Sequence, residues 1–271
     1  MTDLDDAGAD STAADEIDEA EDASAFAEIG MAIEAVGDEM HGWFDVVPEL
    51  CTPGTAGVRA SVAASVADAV LGFHAIRALT PRLPVTLELD VHLFDEVVGV
   101  PRVHGRSRVV KAGQSVIVTS MDFRGDDGRL VGFGNASFMA IPNPEFTAPA
   151  IDDVLERFAQ PMGRLPVPLV ERIGCVRTGP GTTLLPCTPI VHNGSKAING
   201  GLLAVAVEEA ALSGDPGASR IESLHIRFLR AIRVGPAVVT ADVHHGMARV
   251  EVVDASSGAV AAIATTRSGD A

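Results

Sequence analysis

The chain has 271 residues, room for one large domain or two of ordinary size. A formal net charge of −17 argues against electrostatic binding to nucleic-acid backbones or anionic membrane, and ten Phe, one Trp and no Tyr leave few stacking platforms for bases or sugars. Apolar residues at 47% are enough to bury a core, so neither nucleic acid nor membrane is an expected partner and a folded protein is.

Residues 1–27 carry ten acids and no Lys or Arg, a block that repels itself and reads as a solvated tail or frayed helix. A signal peptide would be basic and then apolar, and no uninterrupted apolar run approaches the roughly 20 residues of a membrane span, so the expectation is a soluble, cytoplasmic protein. Cys51, Cys175 and Cys187 lack CxxC spacing and read as reduced, buried thiols. His244-His245 has no third ligand at a matching spacing, so neither a metal nor another cofactor is expected.

Ala25 to Met40 reads as a helix. Glu49-Leu50-Cys51-Thr52-Pro53 then leads through a Gly-bearing loop into an apolar run, without Pro, that predicts a buried helix near 57–78. Alternation on a period of two predicts strands at Thr86–Phe94, Arg102–Lys111, Ser115–Phe123 and Arg129–Ile141. A Pro- and Asn-rich connection, 142–149, separates this half from the next, which opens on a helical stretch from Ile151 to Gln160. The pattern then repeats. Leu185-Pro186-Cys187-Thr188-Pro189 leads into a helix near 199–213, followed by strands at Glu222–Arg230, Ala237–His245, Ala248–Val253 and Ala259–Thr266. The shared Cys-Thr-Pro is offset by 136 residues and the acids Asp68 and Glu208 by 140, which places the four-residue difference in the loop.

A helix that is apolar nearly all round must be wrapped by its own sheet. Each half is therefore an α+β roll, and two rolls paired edge to edge remove an exposed strand edge. The expected organisation is an acidic tail over 1–27, one roll over 28–146 and a second over 147–271. At the start of the second helix stand Asn193-Gly194 and Asn199-Gly200-Gly201, with Glu208 eight residues beyond Gly200, roughly 12 Å along the axis. The two cannot act on one carbonyl within a single roll. They can do so only across two rolls, where the N–H groups of one helix start face the acid of the other.

The string Asn193-Gly194 through Asn199-Gly200-Gly201-Leu202-Leu203-Ala204-Val205-Ala206-Val207-Glu208 resembles the hotdog-fold acyl-CoA thioesterases, in the group acting on phenylacetyl-CoA and 4-hydroxybenzoyl-CoA. Leu224 to Arg230 is similar to that family's strand after the helix. The first half matches at Val66-Ala67-Asp68-Ala69, with Arg59-Ala60-Ser61 in place of His-Gly-Gly, and the resemblance spans roughly residues 28–268 as a tandem double hotdog.

The resemblance implies hydrolysis of an acyl-CoA to free acid and CoA, in a subunit that forms homo-oligomers. Asp68 and Glu208 are then the candidate bases or nucleophiles, and the N–H groups of Gly200 and Ala60 the oxyanion donors. Asn193 is placed to orient water or the thioester carbonyl. Arg59, Asn199 and Gly201 stand at the substrate-binding positions, with Asn199 and Arg59 replacing the family's His. In the family each site is shared between rolls, which pairs Asp68 with the Gly200 loop and Glu208 with the Ala60 loop. Simpler readings stand beside these: Asn193-Gly194 is also a turn signal, Glu209 reads as the solvated neighbour of Glu208, and Arg227 and Arg230 either reach solvent or hold CoA phosphates. The same fold without chemistry would be an acyl-CoA binder. A hotdog dehydratase or hydratase needs a His paired with an acid, and Val205 or Ala206 stands where the acyl-carrier-protein type has its acid.

Overall fold

A computed structural model describes residues 24–94, 97–141 and 147–270. Twelve strands form one antiparallel sheet, six from each half. The first six are β1 (Met31–Val36), β2 (Glu39–Asp45), β3 (Pro84–Leu93), β4 (Arg102–Ala112), β5 (Val116–Gly125) and β6 (Leu130–Ala140). The second six are β7 (Val176–Gly179), β8 (Thr182–Leu185), β9 (Ala218–Phe228), β10 (Ala237–His244), β11 (Met247–Asp254) and β12 (Ala259–Asp270). The order across the sheet is β1-β2-β4-β5-β6-β3-β9-β12-β11-β10-β8-β7, so the halves repeat each other about the β3–β9 pair. There Glu88 lies opposite Arg227, Asp90 opposite His225 and His92 opposite Ser223. Edge-to-edge joining of two rolls is thus realised within one chain.

The sheet wraps two long helices, α1 (Ala60–Leu79) and, after the short α2 (Ile151–Phe158) and α3 (Leu169–Arg172), α4 (Gly200–Gly214). Neither long helix has a polar face; α1 alone buries Val62, Val66, Val70, Leu71 and Phe73. By length and composition α1 is long and apolar enough to cross a membrane, yet 67% of that window is buried inside the fold. Small residues let the two helices touch. A Cβ added to Gly201 would stand 2.6 Å from Ser65 Oγ and 2.7 Å from Ser65 Cα, so the backbones meet there and only glycine fits. The helices run antiparallel, with the start of each beside the acid of the other: Ala60 meets Glu208 and Gly200 meets Asp68.

Three expectations change. Ala25–Met40 is not a helix: after a 3-10 turn at Ala27–Ile29 the chain forms the β1–β2 hairpin, from Met31 opposite Phe44 to Val36 opposite Glu39. Gly37, at φ 63°, makes its turn, and the Met40, Gly42 and Phe44 side of β2 is buried. Ser24, Ala25 and Ala27 are buried, and the Ala25 N–H donates to Ile190 O (2.8 Å), so the packed chain begins inside the segment read as a solvated tail; residues 1–23 lie outside the described residues. The two Cys-Thr-Pro strings do not superpose. The repeat aligns the 3-10 turns Pro48–Leu50 and Pro189–Val191. The N–H groups of Arg59 and Asn199 then donate to Leu50 O and Val191 O, so the loops differ by one residue rather than four. The short strands β7 and β8 were not expected at all, whereas the other eight strands and α2 fall where alternation and apolar runs place them.

Candidate active site

Sequence spacing leads to two composite sites, and the structure treats them differently. At the start of α1 the Glu208 carboxylate caps the helix. It accepts from the Ala60 N–H (3.1 Å), the Ser61 N–H (3.4 Å), the Ser61 hydroxyl and Arg59 Nη1 (3.4 Å). Its exposure is 0% and that of Arg59 is 2%. Arg59 also reaches Glu209 Oε1 (2.7 Å), and Arg177 Nε holds Glu209 Oε2 (2.7 Å). Glu209, read as a solvated neighbour, is therefore a buried member of an ion network. Burial opposes the charge of Arg59, but the carboxylates of Glu208 and Glu209 outweigh it and hold the guanidinium above its ordinary range. The N–H donors of this helix start are thus taken by the chain's own carboxylate, and Arg59 closes the space beside it.

The equivalent end, at the start of α4, is open. Asp68 is one methylene shorter than Glu208 and partly exposed. Its Oδ1 accepts from the Thr86 hydroxyl (2.8 Å) at the beginning of β3. Its Oδ2 lies 3.5 Å from where a Cβ on Gly200 would stand, and the Phe228 ring lies 3.1 Å from the same point. Among the described residues the Gly200 N–H has no hydrogen-bond acceptor. The positive end of the α4 dipole therefore presents a free donor beside a free carboxylate oxygen. Desolvation raises the Asp68 carboxyl to about 6, against a smaller lowering by the Thr86 hydrogen bond. At neutral pH Asp68 is mostly a carboxylate, yet basic enough to take a proton.

Asn199 caps α4. Its Oδ1 accepts from the Gly201 and Leu202 N–H groups (2.9 and 3.2 Å), fixing the helix start while leaving Gly200 free. Arg59 occupies the same backbone position in the first half, at φ −63° and ψ 139° against −61° and 135°, but spends its side chain on the two glutamates. Asn193 Oδ1 accepts from Ser195 N (3.0 Å), Ser195 Oγ (2.9 Å) and Ala197 N (3.2 Å), so its carbonyl end shapes the loop. Gly201 is the helix contact described above, not a donor facing the site. Sequence reasoning missed Thr86 and Phe228. Both lie in expected strands, but only the wrapping of β3 and β9 around the helix ends brings them to Asp68 and Gly200. No group of three His, Cys, Asp or Glu among the described residues could hold a metal ion.

No protein-family model matches this sequence, and no curated protein matches it either. Solved structures do match in fold. A 12:0-ACP thioesterase from Umbellularia californica superposes with a TM-score of 0.63 at 14% identity, covering 88% of this chain and 100% of that one. An acyl-ACP thioesterase from Bacteroides thetaiotaomicron VPI-5482 gives 0.59 at 14% identity over 85% and 97%. A hot dog fold protein of unknown function from Alicyclobacillus acidocaldarius gives 0.55 at 16% identity over 92% and 99%. The fold is the hotdog fold, carried twice in one chain, with both copies inside the superposed length.

Proposed function

We propose that this protein hydrolyses acyl thioesters at the one open site, where Asp68 of α1 faces the start of α4. The observation that carries the reading is the difference between the two helix starts. In the closed one a carboxylate already rests on the N–H groups of Ala60 and Ser61, so these helix starts hold negatively charged oxygen well. At the open one the Gly200 N–H is free to hold the oxygen of a thioester carbonyl as it gains charge.

In the reaction, the Asp68 carboxylate takes a proton from water as the water oxygen attacks the carbonyl carbon, and the carbonyl electron pair moves onto the oxygen held by Gly200. Collapse re-forms the carbonyl and breaks the C–S bond, and the proton on Asp68 passes to the departing sulfur. The alternative for the same two groups is direct attack by Asp68 Oδ2 to give a mixed anhydride that water then opens, returning the same products. Thr86 fixes the carboxylate through Oδ1 and leaves Oδ2 for either step.

Acyl-CoA is the substrate class that the sequence resemblance supports. Two of the solved structures sharing the fold are described as acting on acyl-ACP, which makes the carrier-protein thioester the comparison substrate. The test is thiol release from a panel of acyl-CoA and acyl-ACP thioesters by the wild type and by Asp68→Asn. Release by the wild type and a loss of at least about a hundredfold in Asp68→Asn are expected. Tight acyl-CoA binding with no thiol released from any substrate would establish the alternative, a binding protein that kept the fold without the chemistry.

A further inference from the structure

The acids of this chain avoid one region. Residues 172–207 contain no Asp or Glu, and neither do residues 223–241, which hold Arg227, Arg230 and Arg233. These two stretches come together at the open site. The Ile198 N–H donates to Ile232 O (2.9 Å), setting the loop before α4 beside the segment that follows β9, and the Phe228 ring at the end of β9 covers Gly200. The cations of this rim differ in their commitments. Arg227 is held by Glu88 (2.8 Å). Lys196, Arg230 and Arg233 are exposed and, among the described residues, have no anionic partner. Asp254, opposite Ala237 just beyond the segment after β9, is buried, with its oxygens held by Ser256 and Ser257. Beside the free cations, Leu229 and Val234 are 57% and 71% exposed.

In a protein of net charge −17, two acid-free stretches that meet at the site, with three cations unpaired among the described residues and two exposed apolar side chains, form a local reversal of the surface. Arg230 lies two residues beyond Phe228, where β9 has ended and the Leu229 and Arg230 N–H groups both donate to Ala261 O, so it stands on the segment leading away from Gly200. We infer that Lys196, Arg230 and Arg233 bind the phosphate of a pantetheine-borne thioester, with Leu229 and Val234 flanking the pantetheine arm. This rests on the thioesterase reading above and adds what the substrate carries. The recognised group is the phosphate itself, found both in coenzyme A and on the prosthetic arm of a carrier protein.

The experiment compares kcat/KM for one acyl group on four thiols: N-acetylcysteamine, 4′-phosphopantetheine, coenzyme A and holo carrier protein. N-acetylcysteamine has no phosphate. The double variant Arg230→Ala/Arg233→Ala is expected to lower the ratio of phosphorylated to phosphate-free kcat/KM at least tenfold, mainly through KM. Added salt should lower the wild-type ratio in the same sense. Arg249→Ala, an exposed cation on β11, should leave the ratio unmoved. A fall with all three phosphorylated thiols supports the 4′-phosphate, and a fall with coenzyme A alone overturns it in favour of the nucleotide phosphates. A ratio unchanged by the double variant overturns the inference. If the wild type turns over none of the four, the hydrolase reading fails by itself. The rim is then tested by direct binding of coenzyme A against pantetheine, where equal affinities for the two overturn it.

Discussion

Replacing Asp68 by Asn should stabilise the protein, and only above a defined pH. In the folded chain the Asp68 carboxyl is raised from 3.8 to about 6, chiefly by desolvation. The fold therefore favours the protonated form. Below about pH 3 the group is neutral folded or unfolded and costs nothing; as pH rises from about 4 to 6 the unfolded chain gives up a proton that the fold retains, and the cost grows until the folded carboxyl ionises too. A shift of about two pK units corresponds to about 3 kcal/mol at pH 8. Asn keeps the shape and can still accept from Thr86 without the charge. Urea unfolding of both proteins between pH 3 and 8 should give a stability gap near zero at the acid end. The gap should open between about pH 4 and 6 and level off at about 3 kcal/mol in favour of Asp68→Asn, several degrees in Tm for a chain of this size. Contributions of the other acids cancel in the difference. The kcat/KM of the wild type should rise around pH 6, where the gap levels off, because the charge that costs stability is the base that works. A gap that is constant with pH, or one that favours the wild type at pH 8, would refute the desolvated carboxylate and with it the role given to Asp68.

Five further outcomes are expected. Thr86→Val removes the hydrogen bond that lowers the Asp68 pKa, so the rising limb of the pH–rate profile should move to higher pH. Glu208→Ala leaves Arg59 buried with part of its charge uncompensated and the α1 start uncapped; it should cost about 3–5 kcal/mol in urea unfolding while sparing kcat at Asp68. Gly201→Ala drives a methyl into Ser65 and should cost about 1–3 kcal/mol. Gly200→Ala instead meets Phe228 and Asp68, and should lower kcat/KM with little change in unfolding. Single turnover in ¹⁸O-labelled water tests the second route: label in Asp68 indicates attack by the carboxylate, with water opening the anhydride at the aspartyl carbonyl.

Much of the fold was legible because its strongest elements are its least ambiguous. A Pro-free apolar run as long as Ala60–Leu79 can only be a wrapped helix, and eight strands alternate cleanly. The β1–β2 hairpin was not legible because Met31-Ala32-Ile33-Glu34-Ala35-Val36 mixes helix formers with β-branched residues, and the Gly37-Asp38 turn was the only signal against a helix. The Cys-Thr-Pro pair misled for a physical reason. A three-residue identity carries less register information than the backbone hydrogen bonds that fix each loop, and those align Pro48 with Pro189. At the site, the spacing located Asp68, Glu208 and both helix starts. It could not tell that one end is open and the other sealed, because that turns on one methylene of side-chain length and on Arg59 reaching across from the opposite half.

The sealed helix start also fixes a number that bulk kinetics would miss. A symmetric pair of identical rolls must carry two equal sites, since any change in one appears in the other. Joining β3 to β9 within one chain lifts that constraint, and here one of the two equivalent helix starts serves as a strut. Equilibrium titration with a non-hydrolysable thioester analogue should therefore saturate at one equivalent bound per chain, half the stoichiometry that two hotdog rolls suggest.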